Sequence, residues 1–256
     1  MFIFSFNKKY LYTSFKYAFY EFKSKFKRTY FGSFWTLIAT SISILAISTI
    51  WAVLFKINLK DFIIYLSIGL IFWYFISKCL SDSANSFVNY RYLLINVNYP
   101  PSYVSLITFF RNFFQLLQNF IFLLFILILF INNPSFKIIL FAPNLFIILF
   151  SIYFLMNIFG YLGARFRDFP QLINAILHPI FLITPILYEK DNLGDFLWIA
   201  EINIVSCWID LVRYPFLDNQ INLNSYFYSL FFLIFLFFIN LFIEKKFSRK
   251  LGLWVN

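Results

Sequence analysis

The sequence predicts an all-α integral membrane protein with six transmembrane helices. Hydrophobic residues make up 62% of its 256 residues and charged residues only 12%, against about 45–50% and about 25% in soluble domains. A helix crosses the bilayer with about 20 mostly apolar residues. Six stretches meet or approach that length, at residues 34–55, 62–80, 103–131, 138–162, 171–188 and 225–243.

The distribution of positive charge predicts the orientation of these spans. An even number of spans places both termini on one side of the membrane. Sixteen of the 21 Lys and Arg residues fall on that side, and seven of them precede the first span. Because positive charge accumulates in cytoplasmic segments, we expect a multi-pass protein of the bacterial inner membrane with both termini in the cytoplasm. The predicted units are a cytoplasmic N-terminal segment (1–33), the six-span domain (34–243) and a cytoplasmic tail (244–256).

Residues 8–28 have the pattern of a basic amphipathic helix. Aromatic and small apolar residues, including Phe15, Phe19 and Phe22, recur at helical spacing and fill one arc of about 100°. Such a helix lies in the plane of the lipid headgroups. The pattern fits a topology anchor, and it fits equally a docking surface for a cytoplasmic partner.

Two cytoplasmic loops carry polar residues. Residues 81–94 are predicted to be helical, and Pro100 and Pro101 end that stretch before the third span. The stretch is either a simple connector or a lever on a motor subunit, with Asp82, Asn85, Asn89 and Arg91 as candidate contacts. In the next loop, Arg165 and Arg167 have three possible partners, namely Asp168, lipid phosphates or a second protein.

The outer segment, residues 189–224, holds apolar runs that are too short to cross a bilayer. We expect two short re-entrant helices there, anchored by aromatic side chains at the interface.

Motifs for catalysis and energy coupling are not found in the sequence. It contains no G-x-x-x-x-G-K-[ST] nucleotide-binding loop, no G-x-S-x-G and no H-E-x-x-H. No catalytic residue and no metal site are predicted. No Asp or Glu falls well inside a span, which disfavours proton-coupled transport. The energy for any transport is therefore expected from another subunit.

Several motifs together resemble the permeases of ABC-2 type polysaccharide exporters, in particular their O-antigen (lipopolysaccharide) branch. The similarity runs nearly end to end. It comprises the basic run with Gly-x-x-Trp at residues 25–35, Gly69–Trp73, Pro100 with Arg111-Asn112, residues 164–171 with Thr184-Pro185-Ile186, Asn203 with residues 210–215, and the tail at 251–255. Ile204 replaces the family's usual proline, and Asp210 stands where glutamate is commoner.

The resemblance implies a channel-forming subunit and not an enzyme. Two permeases would pair with two copies of an ABC ATPase subunit, which would bind ATP and Mg²⁺, so that this chain needs no cofactor of its own. The substrate would be a glycan linked to undecaprenyl diphosphate and taken from the cytoplasmic leaflet. Membrane lipid would be a further partner, and nucleic acid would not. The amphipathic helix and the polar 81–94 stretch would contact the ATPase. The family pattern also makes Glu201, Asn203, Asp210 and Arg213 candidates for a periplasmic gate.

Arg111 and Asn112 are the candidates for contact with the carrier diphosphate. Arg111 lies two turns into the third span, at the depth of an inner-leaflet headgroup, and guanidinium binds phosphate in a bidentate manner. The alternative is an arginine that extends to lipid headgroups.

Other functions stay open at this point. Capsule or teichoic acid export would use a similar permease. A membrane enzyme acting on polyprenyl lipids would need a base or metal from a small set: Glu21, Asp82, Asp168, His178 and Glu244.

Overall fold

The computed structural model describes residues 8–130, 136–217 and 222–255. Within these ranges every regular element is a helix, which confirms the predicted fold class. Residues 1–7 of the predicted N-terminal segment, Ile131 of the predicted third span, positions 218–221 of the predicted outer segment and the terminal Asn256 lie outside the described part of the chain.

The helices follow one another in the order α1 (Lys8–Lys25), α2 (Phe34–Phe55), α3 (Leu59–Ala84), α4 (Ser86–Asn89), α5 (Arg91–Ile95), α6 (Pro101–Phe130), α7 (Phe141–Arg165), α8 (Phe169–Ile183), α9 (Leu197–Ile202), α10 (Ile204–Leu217), α11 (Leu223–Phe247) and α12 (Leu251–Val255). Short 3₁₀ turns precede α7, α9 and α12 at Phe136–Leu140, Lys190–Phe196 and Ser248–Lys250.

Five segments of the described chain are long and apolar enough to cross a membrane. They are α2, α3, α6, the segment Lys137–Arg165 and the segment Leu223–Val255. The predicted fifth span corresponds to α8, which has only 15 residues, or about 22 Å of helix against a hydrocarbon core of about 30 Å. The helix ends there because Thr184 precedes Pro185 and has an extended backbone. The count of six spans stays a prediction.

The third helix is the centre of the bundle. In α3, 78% of the most apolar window is buried, against 17% in α2 and in the last span. It packs against α2, α6, α7, α8 and α10, whereas α11 packs mainly against α7 and α10. Much of α2 and α11 is therefore left to face lipid or another chain.

Both terminal helices lie at the same end of the bundle. Ala18 of α1 and Leu251 and Val255 of α12 belong to one buried cluster, together with Phe87 of α4 and Tyr161 of α7. The first helix lies along α6. This end, called the α1 end below, is where the predicted cytoplasmic loops meet.

The predicted single helix over 81–94 is instead three pieces. The end of α3 reaches Ala84, and the short helices α4 and α5 follow. Asn85 and Tyr90, at the two breaks, have backbone angles that depart from the helix (φ −105°, ψ 0° and φ −101°, ψ 25°). Burial explains the bends, because Phe87 turns inward onto the Tyr161 ring, with 5.1 Å between ring centroids.

Other predicted boundaries shift by a few residues. The first helix ends at Lys25 and not at residue 28, and residues 244–247 of the predicted tail belong to α11.

Two glycines of α7 allow the junction of α3 and α4 to pack closely against α7. A Cβ at Gly163 would lie 1.7 Å from the Ala84 carbonyl oxygen, and a Cβ at Gly160 would lie 3.0 Å from the Phe87 ring. Small residues are the usual device by which membrane helices bring their backbones together. The junction of α3 and α4 is thereby held directly against α7.

Gly163→Ala is expected to destabilise the protein by about 2–3 kcal/mol, because the new methyl group meets backbone that cannot turn away. The melting temperature of the detergent-solubilised chain measures this. Gly252→Ala is the matched control, since nothing lies within 4 Å of its added Cβ, and its melting temperature should equal that of the wild type. Equal melting temperatures for both variants would contradict the close contact.

Candidate functional site

A polar groove opens between α2, α3, α6 and α8. It has a volume of about 510 Å³. Side chains with hydroxyl or amide groups dominate its lining, namely Thr36, Thr40, Ser43, Tyr74, Ser77, Ser81, Gln115 and Asn174. Polar groups are costly within a membrane and usually face a bundle interior or a path for polar solutes. The groove is therefore suited to contact a hydrophilic substrate.

Helical spacing produces this lining. Thr36, Thr40 and Ser43 lie at i, i+4 and i+7 on α2, and this places them on one face. Across the groove, the Ser81 hydroxyl of α3 donates to Asn174 Oδ1 of α8 at 2.6 Å. The groove was not predicted from the sequence. The available signal was the polar stripe along the first span, but a single helix does not show which other helices face it.

Arg111 joins three helices at the α1 end of the groove. Its guanidinium donates to a carboxylate oxygen of Glu21 on α1 and to Asp82 Oδ2 of α3 at 3.0 Å. Glu21 also accepts a hydrogen bond from the Tyr90 hydroxyl. The Arg111 side chain is 22% exposed. Glu21 and Asp82 are thus brought together by Arg111, which was predicted to contact the carrier diphosphate.

Asn112 does not share the environment of Arg111. Its side chain is buried, 2% exposed, at the interface where α6 packs on α3. Asparagine side chains at such interfaces hydrogen-bond across membrane helices. Asn112 also lines a small cavity beside the groove together with Tyr74 and Lys78, whereas the charge of Arg111 is already met by Glu21 and Asp82.

Positive charge is in excess around Arg111. Lys78 lines the groove and lies 3.7 Å from Asp82. Burial, and next the positive charge of Lys78, lower the pKa of the Lys25 ammonium. Three cations, Lys25, Lys78 and Arg111, therefore share two carboxylates. An anion entering the groove at this end would be attracted.

The predicted coupling residues on α1 face the chain itself. The Phe15 ring lies 5.2 Å from that of Phe114 on α6, and the Phe19 and Phe22 rings lie 5.7 and 5.9 Å from it. Phe15 and Phe19 are still 41% and 45% exposed. These side chains fix α1 along α6 and leave part of their surface available.

The predicted coupling residues at positions 82–91 divide into two groups. Asp82 is engaged with Arg111 and Lys78, whereas Asn85, Asn89 and Arg91 are exposed. Apolar side chains are exposed beside them, with Val88 at 47% and Tyr92 at 68%. The α4–α5 surface, defined as the exposed side chains of residues 85–97, is thus mixed polar and apolar and stands on a buried anchor, Phe87.

The loop between α7 and α8 projects its charges outward. Arg165, Arg167 and Asp168 are all exposed, and in the described ranges no ion pair joins either arginine to Asp168. The Arg165 guanidinium lies 5.0 Å from the Trp254 ring centroid. Arg165 thus contacts the terminal helix α12, a partner that the sequence did not suggest.

Arg213, the cation of the predicted gate, is buried. It is 4% exposed and its guanidinium donates to the carbonyl oxygens of Tyr65, Pro185 and Ile186 at 3.1, 2.7 and 3.2 Å. The guanidinium also lies 3.6 Å from the Tyr65 ring centroid. Arg213 therefore holds α10 and the end of α8 against α3.

The other predicted gate residues lie around this contact. Asn203 donates to Thr184 Oγ1 at 2.8 Å and accepts from the Val205 amide at 3.0 Å, so it starts α10 and ties it to the end of α8. Asp210 accepts from Lys190 and from Ser225 Oγ. Glu201 is exposed on α9, away from these contacts. The sequence therefore located three members of one polar cluster and a fourth that stands apart.

Asp210 and Arg213 line a second polar cavity, of about 610 Å³, between α3, α10 and α11. Among the described residues, no group of three or more His, Cys, Asp or Glu side chains is arranged to hold a metal ion.

Comparison with known proteins identifies the family. The family model for the ABC-2 type transporter matches residues 15–217. The O-antigen export system permease protein RfbA of Myxococcus xanthus is 22% identical over 175 residues, covering 68% of this chain and 67% of that protein. An RfbA protein of Klebsiella pneumoniae is 22% identical over 205 residues, covering 79% of each chain. With its apolar helices, its polar groove and a family match over most of its length, this chain belongs to the ABC-2 type transporter membrane family.

Proposed function

We propose that the chain is the permease subunit of an ABC exporter that moves a polyprenyl-diphosphate-linked, O-antigen-like glycan across the bacterial inner membrane. The observation that carries the proposal is the hydroxyl- and amide-lined groove between α2 and α8. The relatives named as O-antigen export permeases support the choice of substrate. A separate ATPase subunit would supply the energy.

The groove has the chemistry that a glycan requires. Sugar hydroxyls lose their hydrogen bonds to water on entering a hydrocarbon layer about 30 Å thick, which is costly unless other partners replace them. Threonine and serine hydroxyls and carboxamides donate and accept, so they can exchange partners along a repeating polymer. Tyr74 adds a ring on which a sugar can stack.

A second copy of the chain would close the groove into a channel. The groove is bounded by α2, of which only 17% is buried in its most apolar window, and by α8, where Gln171, Asn174 and His178 are exposed. Polar side chains on an exposed membrane helix are stabilised by a neighbouring protein surface and not by lipid. Two chains placed with these faces together form a channel lined on both sides.

The excess positive charge at the α1 end suits a diphosphate. Arg111 is held by Glu21 and Asp82, so we assign the direct contact to Lys78, which lines the groove, with Arg111 and Asn112 in supporting positions.

The α4–α5 surface and the remaining exposed part of α1 are the proposed contacts for the ATPase. Because α4 is held against α7 at Gly160 and Gly163, movement of that surface would reach the spans directly.

Filling the groove tests the proposal. Thr40→Trp and Ser77→Trp are expected to reduce surface polysaccharide at least tenfold, because a bulky ring occupies the path of the sugar chain. Ile42→Trp is the control, since this residue is on α2 as well but is 61% exposed on another face. Polysaccharide on intact cells is measured at matched amounts of membrane-inserted protein. Normal export by both groove variants would refute the assignment of the path.

The proposed orientation predicts which side of the membrane each loop reaches. Single cysteines are placed at the exposed Asn85 and Asn192 in a background with Cys79 and Cys207 replaced by serine. A membrane-impermeant maleimide added to intact cells should label position 192 and not position 85. Lysed cells should label both, which controls for accessibility, and labelling of position 85 from outside would overturn the topology.

A further inference from the structure

An apolar cavity lies on the far side of α6 from the polar groove. It has a volume of about 350 Å³ and is bounded by α1, α6, α7 and α11. Its walls are mostly aromatic and aliphatic, with Leu106, Phe109 and Phe113 on α6 and Leu149 and Phe150 on α7. This volume is within the range of ligand-binding pockets, about 300–1,000 Å³.

The cavity runs along α6, a helix long and apolar enough to cross a membrane. Its lining on α6 extends from Ser102 to Phe113, a rise of about 17 Å at 1.5 Å per residue. One leaflet accounts for half of the hydrocarbon thickness, about 15 Å. The cavity therefore reaches from the membrane surface at the α1 end to about the middle of the bilayer, which is the depth of one acyl chain.

Polar groups gather at only one end of the cavity. Glu244 of α11 lines it and is 9% exposed, and Ser102 of α6 lines it as well. The Tyr153 hydroxyl donates to the Ser102 carbonyl at 3.2 Å. Tyr10 of α1 completes this end. The cavity is thus amphipathic along its length, with a carboxylate at the surface end and phenylalanines at the deep end.

The cavity is separate from the proposed path of the glycan. Phe113 lines the cavity and Gln115 lines the groove. Residues two positions apart in a helix are separated by about 200° around its axis. A ligand in the cavity and a substrate in the groove would therefore lie on opposite faces of α6.

We propose that this cavity binds one acyl chain of a bilayer phospholipid with an amine headgroup, such as phosphatidylethanolamine, from the leaflet at the α1 end. The acyl chain fills the aromatic walls, and the ammonium group pairs with Glu244. An anionic headgroup would bring its negative charge close to the same carboxylate, which disfavours it. A polyprenyl chain is several times longer than one leaflet is deep, so most of it would remain outside.

Photo-cross-linking on the unmodified full-length chain tests this. The protein is reconstituted in vesicles that carry phosphatidylethanolamine or phosphatidylglycerol with a diazirine near the end of one acyl chain. We expect adducts concentrated on the α6 and α7 lining, with ethanolamine favoured. Adducts spread evenly over the exposed faces of α2 and α11 would overturn the proposal, as would displacement of the lipid by added polyprenyl diphosphate.

Two variants separate the cavity from its headgroup contact. Leu149→Trp fills the cavity and should remove the adducts on its lining, whereas Phe238→Trp, at a position that is 63% exposed on α11, should leave them unchanged. Glu244→Gln should retain the adducts but reduce the preference for ethanolamine roughly tenfold, the value of one charge-assisted hydrogen bond. An unchanged preference in Glu244→Gln would exclude the proposed headgroup contact. If Leu149→Trp does not fold, the map from the unmodified chain decides by itself.

Discussion

Replacing Arg213 with leucine is expected to release α10 from α3 and to lower the melting temperature of the purified protein by roughly 10 °C or more. The substitution leaves three carbonyl oxygens, those of Tyr65, Pro185 and Ile186, without the guanidinium that now donates to them. A buried acceptor left unpaired costs about 1–3 kcal/mol. The Pro185 oxygen keeps the Tyr65 hydroxyl as a donor at 3.0 Å, but the contact between the guanidinium and the Tyr65 ring is lost as well. The melting temperature of Arg213→Lys should lie between those of the wild type and Arg213→Leu, because an ammonium cannot reach all three acceptors as a planar guanidinium does.

Gly69 gives an independent way to disturb the same contact. A Cβ at Gly69 would lie 2.1 Å from Arg213 Nη2, so Gly69→Ala should displace the guanidinium and destabilise the protein in the same direction. With leucine at position 213 the clash is gone, and the double variant should be no less stable than Arg213→Leu alone. Additive losses in the double variant, or a wild-type melting temperature for Arg213→Leu, would contradict this account.

The consequence for transport follows from the position of Arg213. It fixes the connection between α8 and α11, and Asn203 of that connection is hydrogen-bonded to Thr184 at the end of α8. Since α8 also borders the groove, loosening Arg213 should reduce export even where the chain inserts normally. Surface polysaccharide at matched protein levels is the measurement.

Several parts of the fold were predictable because local pattern determines them. The first span was predicted at the bounds that α2 has, since a mostly apolar run without a charged residue extends from Ser33 to Lys56. The amphipathic first helix and two short helices before the last span also follow from spacing and length. The end of α8 was not predicted, because the fifth span was expected to continue to residue 188. The helix ends at Ile183, before Pro185, although it tolerates Pro179 inside it.

The tertiary features were not predictable in the same way. The break of the 81–94 stretch depends on Phe87 finding Tyr161 and Gly160 on a helix some 70 residues later. The apolar cavity requires α1, α6, α7 and α11 to be placed together. No local pattern contains these pairings, since hydrophobic periodicity gives the buried face of a helix but not its partner.

Arg111 shows how the two levels differ at the site. It lies within α6, which corresponds to the predicted third span, and a cation at that position suggested contact with the carrier diphosphate. Glu21 lies 90 residues earlier, in a helix predicted to lie on the membrane surface, so nothing in the sequence linked the two. Their ion pair changes the role of Arg111 from a free anion-binding group to the link between α1, α3 and α6.

Arg111→Ala is expected to detach α1 from the bundle and to abolish most export. Removing one partner of a largely enclosed ion pair leaves the other charge poorly solvated, at a cost of about 3 kcal/mol here, where the groups are still partly exposed. Glu21 loses its cation, while Asp82 keeps Lys78 at 3.7 Å. Cleavage within α1 by a protease added to inside-out vesicles should therefore become faster, and the melting temperature should fall without any substrate present.

A charge-neutral variant distinguishes this structural role from diphosphate binding. Glu21→Gln combined with Asp82→Asn and Arg111→Met removes all three charges together, and such replacements of enclosed ion networks are often well tolerated. If Arg111 acts by linking helices, the triple variant should recover much of the protease resistance that Arg111→Ala loses, and some export with it. If Arg111 instead binds the diphosphate, stability would be recovered without export. Arg111→Lys distinguishes the two roles further, because one ammonium cannot donate to Glu21 and Asp82 in the forked geometry of the guanidinium. A structural link predicts a lowered melting temperature in the protein without substrate. A pure substrate contact predicts an unchanged melting temperature and weaker export.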